Sequence, residues 1–280
     1  MKLISNNKKL VSFIFLLLMA VIWIVPVLWA TLTSFKSEQE IRTTGFEFLP
    51  EEWVTTNYVD AVMNTTNAPV LKWFFNSMVM STSSAVLSVI IVSITAYGYA
   101  RLDFKGRDAL FLTIMGISLF PGIVNLIPMY SIIATFNWVN SMLAIIVPGL
   151  GGVTNIFLVR QFMLGIPKEF DEAAKIDGAN EFQIFLKIIV PLVRPVLTIV
   201  ALFSFTGTWN DFLWPAIVFN DIDKMPITAG LELLQGAYGT FKVGLLLSSA
   251  IVAIIPTFIL FLFAQKYFME SLSLSAGLKG

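Results

Sequence analysis

Long apolar runs separated by short polar connectors dominate this chain. Six of them are long enough to cross a bilayer, which takes about 17–25 residues each. They cover 10–32, 74–99, 109–135, 142–159, 196–219 and 243–264. A lipid interior offers backbone groups no partners, so each run must be a helix or a strand of a closed barrel. Barrel strands alternate apolar and polar positions; these runs do not, so helices are expected. Two carry breakers. Pro121-Gly122 and Pro128 interrupt the third, and Pro148, Gly149, Gly151 and Gly152 fall in the fourth. The expected fold is an all-α integral membrane protein with six transmembrane helices.

Composition agrees with the pattern. Hydrophobic residues make up 57% of the 280 residues, charged residues 13%, and the mean hydropathy is +0.82. Soluble domains carry about 25% charged residues. Lys plus Arg and Asp plus Glu are equal at 18 each, so net charge points to no nucleic-acid partner. The chain has neither Cys nor His, which removes disulfides, thiol chemistry, the commonest general base and the commonest metal ligand.

The basic residues orient the spans. With the N-terminus inside, thirteen of the 18 Lys and Arg fall on the cytoplasmic side, among them Lys8, Lys9, Arg101, Arg107, Arg160 and Lys175; five, such as Lys36 and Lys72, fall outside. The positive-inside rule favours this arrangement, with both termini cytoplasmic. The first run is longer than a signal-peptide core and ends in no small-x-small cleavage site, so it reads as a retained helix. The external loop 33–73 carries six acids and three bases. Within it, Pro50 to Met63 has the spacing of a short amphipathic helix with Trp53, Tyr58 and Val62 on or near one side. This helix suits either an external contact or packing on the bilayer or bundle.

Between the fourth and fifth runs lies a polar hairpin, 167–195. Pro167 suits a helix's first turn. Glu169, Asp171 and Glu172 then sit where the macrodipole favours acids. Ala173 and Ala174 form helix with almost no bulk, and Ala173 and Asp177 share a face; Glu172 and Lys175 are spaced to pair. Gly178 is suited to stop the helix. A second helix is expected over Ala179–Ile189 with Phe182, Phe185, Leu186 and Ile189 as its apolar stripe. Pro191 and Pro195 then manage the bend into the fifth run. By helix chemistry alone this is equally an amphipathic linker at the membrane surface.

The run Glu172-Ala-Ala-Lys-Ile-Asp-Gly-Ala, followed by Phe185, Ile188, Pro191 and Pro195, resembles the EAA loop of ABC importer permeases. Trp209-Asn210-Asp211-Phe212-Leu213-Trp214-Pro215 is a second match. Further matches are Gly230-Leu231, Gln235-Gly236, Tyr238-Gly239, Gln265-Lys266-Tyr267-Phe268, Lys279-Gly280, Asn57-Tyr58 and Asn76-Ser77. Together they are similar to the carbohydrate-uptake branch, in particular the MalG-type subunit of maltose-type systems. The tail from Glu270 to Gly277 departs from the branch's usual Gly-Leu-Thr-x-Gly-Ala-like run.

The resemblance implies a single permease domain over 1–280 in a bacterial or archaeal cell membrane. The EAA loop would be a coupling helix that docks on a cytoplasmic ATPase through Glu172, Ala173, Ala174, Asp177 and Gly178. Partners would be a second permease, two ATPase copies, an extracellular solute-binding protein and a carbohydrate. No phosphate-binding Gly-x-x-x-x-Gly-Lys-Ser/Thr occurs, so ATP and magnesium are expected on the ATPase and no cofactor or enzymatic activity on this chain.

Asp211 is an acid within an apolar run, where a carboxylate usually faces a cavity or a partner. With Trp209, Asn210 and Trp214 it suits a sugar's C–H faces and hydroxyls. It suits helix packing and an aromatic belt as well. Asn125 and Asn155 read as interhelical hydrogen-bonding positions. The sequence also admits an ABC permease for a non-sugar solute such as a polyamine, and an ion-coupled secondary transporter with Asp211 as its coupling acid. Such transporters show matched broken halves, and no internal repeat is evident here.

Overall fold

The computed structural model describes residues 2–63, 68–236 and 242–277, and among them every regular element is helical. Helices α1 (Lys2–Thr33), α4 (Val70–Arg101) and α15 (Val243–Gly277) contain continuous stretches long and apolar enough to cross a membrane, whereas α2 (Glu38–Thr43) and α14 (Ile227–Gly236) are too short to do so alone. Three further candidates are bent pairs. The first joins α5 (Arg107–Ile117) to α6 (Leu126–Thr135) through a 3₁₀ turn at Gly122–Asn125, with a bend of 87°. Pro121 and Gly122 cause it, since proline cannot continue the preceding helical ladder. Pro128 causes no break, because it falls in the first turn of α6, where its missing N–H goes unused.

The second pair, α7 (Leu143–Gly149) and α8 (Val153–Leu164), bends by 42° at Gly151-Gly152. Pro148 stays inside α7. The third break, of 80°, lies at Val193, just before the fifth apolar run. It separates Glu181–Leu192 from α12 (Arg194–Asn210), whose second residue is Pro195. The fifth run itself is broken again at Asp211-Phe212, and a short helix, α13 (Leu213–Val218), follows.

The chain divides into two compact units. Unit one combines Met1–Leu71 with Gly230–Ile255. Its polar centre is Asn57, whose side-chain amide donates to the carbonyls of Ser34 and Lys36 at 2.9 and 2.8 Å. Ser248 donates to the Asn57 carbonyl, and the Gly244 N–H donates to Glu38 Oε1. Lys36 is buried, donates to the Glu47 carbonyl, and lies 3.5 Å from Glu40.

The amphipathic helix expected over Pro50–Met63 is shorter than its spacing suggested. It is α3, Thr56–Met63. Residues before it are tied down instead: the Glu51 N–H donates to Glu40 Oε1 and the Val54 N–H to the Phe35 carbonyl. Trp53 therefore lies outside the helix with its ring 5.6 Å from that of Phe35. Asn57 and Ala61 face inward, and Val62 is exposed.

Unit two combines Lys72–Ala229 with Pro256–Gly280. Its core joins Val92, Ala96, Tyr97 and Ala100 of α4 to Val159 and Met163 of α8 and to Val193, Val196, Leu197 and Val200 around the start of α12. Hairpin residues Ala174, Ile184, Phe185 and Ile189 complete the same cluster. The hairpin is thus packed into the helical body, not suspended from it.

Candidate functional site

The hairpin's first helix is α9, Glu169–Ile176, with Glu169, Asp171 and Glu172 in its opening turn and Pro167 just outside it. Gly178 adopts φ +83°, in the left-handed region that a side chain rarely occupies. Around it the Ala179 N–H donates to the Ala174 carbonyl and the Gly178 N–H to the Lys175 carbonyl. That pair of bonds is the Schellman ending of a helix, and it satisfies carbonyls that would otherwise be orphaned. Asn180 and Gln183 then form a reciprocal capping box, both bonds 2.9 Å, which starts α10 (Glu181–Ile184). Stop and start signals thus fall within three residues and fold the chain tightly back.

The second helix is not uniform. After α10 it widens into a π turn, Phe185–Ile189, and resumes as α11, Val190–Leu192. The Val190 N–H reaches back five residues to the Phe185 carbonyl. Pro191 can donate no bond and its ring crowds the carbonyl four residues back, so a locally wider helix accommodates it. Widening also shifts the apolar stripe: Ile184, Phe185 and Ile189 are buried, while Phe182 and Leu186 face outward.

Glu172, Ala173, Asp177 and Gly178 are exposed, and Ala174 is buried. The two alanines divide the work, one presenting a flat outer face and the other packing into the core. Phe170, Ile176 and Phe182 are also exposed, Ile176 at 86%. Beside them, Glu169, Phe170, Ala173, Ala174, Asp177 and Ile188 line a cleft of about 470 Å³. The spacing-based Glu172–Lys175 pair does not form. Lys175 turns across the hairpin to Glu181, 2.7 Å away. That contact, then the Tyr97 hydroxyl, holds the Glu181 carboxyl below its usual range, and Glu181 raises the Lys175 ammonium.

Two arginines that the sequence marks only as cytoplasmic charges tie neighbouring helices together: Arg101 at the base of the hairpin and Arg160 between α8, α4 and α5. Arg101 donates to the Met163 and Ile166 carbonyls, both at 2.8 Å, and lies 3.4 Å from Asp171. Arg160 lies 3.6 Å from Asp108, donates to the Tyr99 carbonyl, and sits 4.3 Å above the Phe111 ring. In the sequence both look like ordinary positive charges at the ends of spans; their acid partners are distant or on another helix.

The second group of candidates lies at the break in the fifth run. Asp211 is extended (ψ 128°) at the end of α12 and half-buried, and Asn210 is exposed. Asp211 Oδ1 accepts from the Trp214 N–H at 3.4 Å, and its carbonyl accepts from the Thr228 hydroxyl at 2.6 Å. Trp209 is buried, stacked on Phe205 and edge-on to Phe74. Trp214 is buried and its indole N–H donates to the Ala144 carbonyl at 2.8 Å. The two tryptophans therefore frame the break, with Asn210 exposed and Asp211 half-buried between them.

The segment after α13 is strapped on both sides. Asn140, itself left-handed at φ 60°, accepts from the N–H groups of Asn220 and Asp221. From α4, Trp73 donates to the Ile222 carbonyl and Asn76 to those of Asp223 and Met225. Asn155 stands beside Gly152 at the bend before α8, and Asn125 is exposed at the start of α6. Tyr238-Gly239 and Lys279-Gly280 lie outside the described residues.

Helices long and apolar enough to span a bilayer, together with bent pairs and a polar hairpin, define a membrane protein. The chain belongs to the family described as binding-protein-dependent transport system inner membrane component, which matches residues 3–273. Curated relatives include the arabinooligosaccharide transport permease AraQ of Bacillus subtilis, 31% identical over 269 residues and covering 95% of this chain and 94% of that one. AraQ of Halalkalibacterium halodurans is 34% identical over 263 residues, with 93% of each chain covered. The trehalose/maltose permease MalG of Thermococcus litoralis is 29% identical, with 98% of each covered. Among solved structures, a chain of a bacterial ABC transporter that imports alginate superposes with a TM-score of 0.81 at 22% identity, over 94% of this chain and 97% of that one. This last likeness is one of fold.

Proposed function

We propose that the chain is one permease subunit of an ATP-driven carbohydrate importer. The observation that carries this is the hairpin. It presents Glu172, Ala173, Asp177 and Gly178 on a small, flat, exposed face while its other side is built into the helical core. Such an element receives a push from outside the membrane and passes it to the spans. Ala174 belongs to this coupling unit from beneath. The partner doing the pushing is a pair of ATPase subunits, which hold the ATP and magnesium; this chain carries no cofactor. A second permease completes the pathway, and a solute-binding protein delivers the sugar.

In this reading α1, α4, α15, the bent pairs α5–α6 and α7–α8, and α12 with α13 form six spans, with both termini and the hairpin cytoplasmic and residues 33–73 outside. The distribution of basic residues supports that orientation. Carbohydrate as cargo is supported by the relatives, whose names specify arabinooligosaccharides, diacetylchitobiose and trehalose/maltose. Asn210, which is exposed, and Asp211, which is half-buried at the break, form the polar part of the solute path; Trp209 and Trp214 hold its shape.

The test is purification in mild detergent with a tag on this subunit, followed by ATP hydrolysis and uptake measurements against maltose, trehalose and arabinotriose. An ATPase and a second permease are expected to co-purify, with hydrolysis stimulated by one sugar and its binding protein. A chain that purifies alone and whose uptake ignores ATP depletion overturns the reading.

A further inference from the structure

The end of α4 holds the hairpin at two points. Arg101 and Tyr97 are four residues apart, so they project from one face of α4, one turn apart. The Arg101 side chain is only 3% exposed. One of its terminal nitrogens caps α8 by donating to the Met163 and Ile166 carbonyls, where the helix dipole is negative. The other faces Asp171, in the first turn of α9, itself 14% exposed. Arg101 therefore occupies the joint at which α8 turns into the hairpin.

Tyr97 takes the second helix. Its hydroxyl donates to Glu181 Oε2 at 2.7 Å, and its ring lies 5.1 Å from that of Phe185. Glu181 opens α10 and is simultaneously paired with Lys175 of α9. Added to the apolar packing of Ala174, Ile184, Phe185 and Ile189, polar attachments to both helices of the hairpin fix its orientation. Arg101 Nε and Asp171 Oδ1 are buried without hydrogen-bond partners, so this ion pair is largely shielded from water.

We infer that Arg101 and Tyr97 are positioning residues that make the hairpin and α4 move as one body, so that a push on the hairpin is delivered to the spans without being absorbed at its base. The inference rests on the importer reading for its functional consequence, but the clamp itself is testable without it.

The chain has no native cysteine, so Ile94→Cys on α4 and Ile176→Cys on α9, both exposed, can be spin-labelled in the full-length chain in nanodiscs. A single narrow distance distribution is expected. Arg101→Met should broaden it about twofold or more, Arg101→Lys less, since lysine keeps the charge without the fork. In the reconstituted complex, sugar imported per ATP hydrolysed should fall about tenfold for Arg101→Met, which strands the buried Asp171 charge. It should fall about threefold for Tyr97→Phe, which deletes one hydrogen bond and leaves the fold intact.

If Arg101→Met does not assemble, Tyr97→Phe decides by the same two readouts. An unchanged distribution, or a broadened one with import per ATP at the wild-type value, overturns the inference. Wild-type complex that imports no sugar with ATP counts against the transport reading instead, and the distance distributions still judge the clamp.

Discussion

Lys175 Nζ lies 2.7 Å from Glu181 Oε1, joining the last turn of α9 to the first residue of α10 across the Gly178 turn. Both side chains are about half exposed, so the pair orders the turn more than it stabilises the protein. Glu181 titrates below its ordinary value of 4.5 in the folded chain. The contribution is therefore fully present above pH 4.5 and is lost as pH falls through the lower folded value. Hydrogen exchange of the 175–183 amides should quicken in that acid window. Glu181→Gln should flatten the response; an identical acid limb in that variant would count against the pair.

Gly178 separates backbone from charge. No atom lies within 4 Å of a β-carbon placed there, so space does not forbid a side chain. The left-handed φ does cost about 1–2 kcal/mol for Gly178→Ala. Gly178→Asp is better tolerated in that conformation than most residues, yet adds a charge to the exposed face. Gly178→Asp and Glu172→Lys should abolish uptake while leaving membrane levels intact, as measured by uptake and immunoblot side by side. Wild-type uptake in either variant would sink the coupling assignment.

Gly244 and Asn57 form a tight fit in unit one. A β-carbon at Gly244 would stand 2.5 Å from the Asn57 amide nitrogen, and that amide is committed to two carbonyls. Gly244→Ala should destabilise by about 1–3 kcal/mol through overpacking. Asn57→Ala should cost about 1–3 kcal/mol by stranding buried carbonyls. The double variant should lose less than the sum, because the clash disappears with the amide. Thermal unfolding in detergent gives all three; strict additivity would refute the contact.

Asp211→Asn isolates charge from geometry. Asparagine keeps the oxygen that accepts from the Trp214 N–H, so the start of α13 survives. Uptake should drop about tenfold with the complex intact if the carboxylate meets solute, an effect of about 1.4 kcal/mol. Trp214→Phe, by contrast, should cost about 1 kcal/mol of stability by losing its bond to the Ala144 carbonyl. Uptake of Asp211→Asn within twofold of wild type would remove this residue from the path.

Much of this architecture is legible in the sequence because lipid imposes a simple rule: long uncharged runs become helices. The Gly178 stop and the Pro121-Gly122 break are equally local and equally readable. What escaped depends on distance. Nothing near Arg101 announces that Asp171, 70 positions later, is its partner. Nothing near Lys175 says that a Schellman turn followed by a capping box swings Glu181 closer than Glu172. Trp53 carries a helix-compatible spacing, but a bond from Val54 to the Phe35 carbonyl outweighs it. The π turn could be suspected from Pro191 alone, though not its effect of turning Phe182 and Leu186 outward.

The 80° elbow at Val193 joins a twelve-residue arm, Glu181–Leu192, to the seventeen-residue α12. At 1.5 Å per residue the arms are about 18 and 25 Å long. This is the geometry of a bell crank. A rigid one with these arms turns a stroke through nearly a right angle and enlarges it by about 1.4-fold, the ratio of those lengths. The far end of the longer arm is Asn210, so the place where gearing is greatest is also the place where the backbone opens beside Asp211.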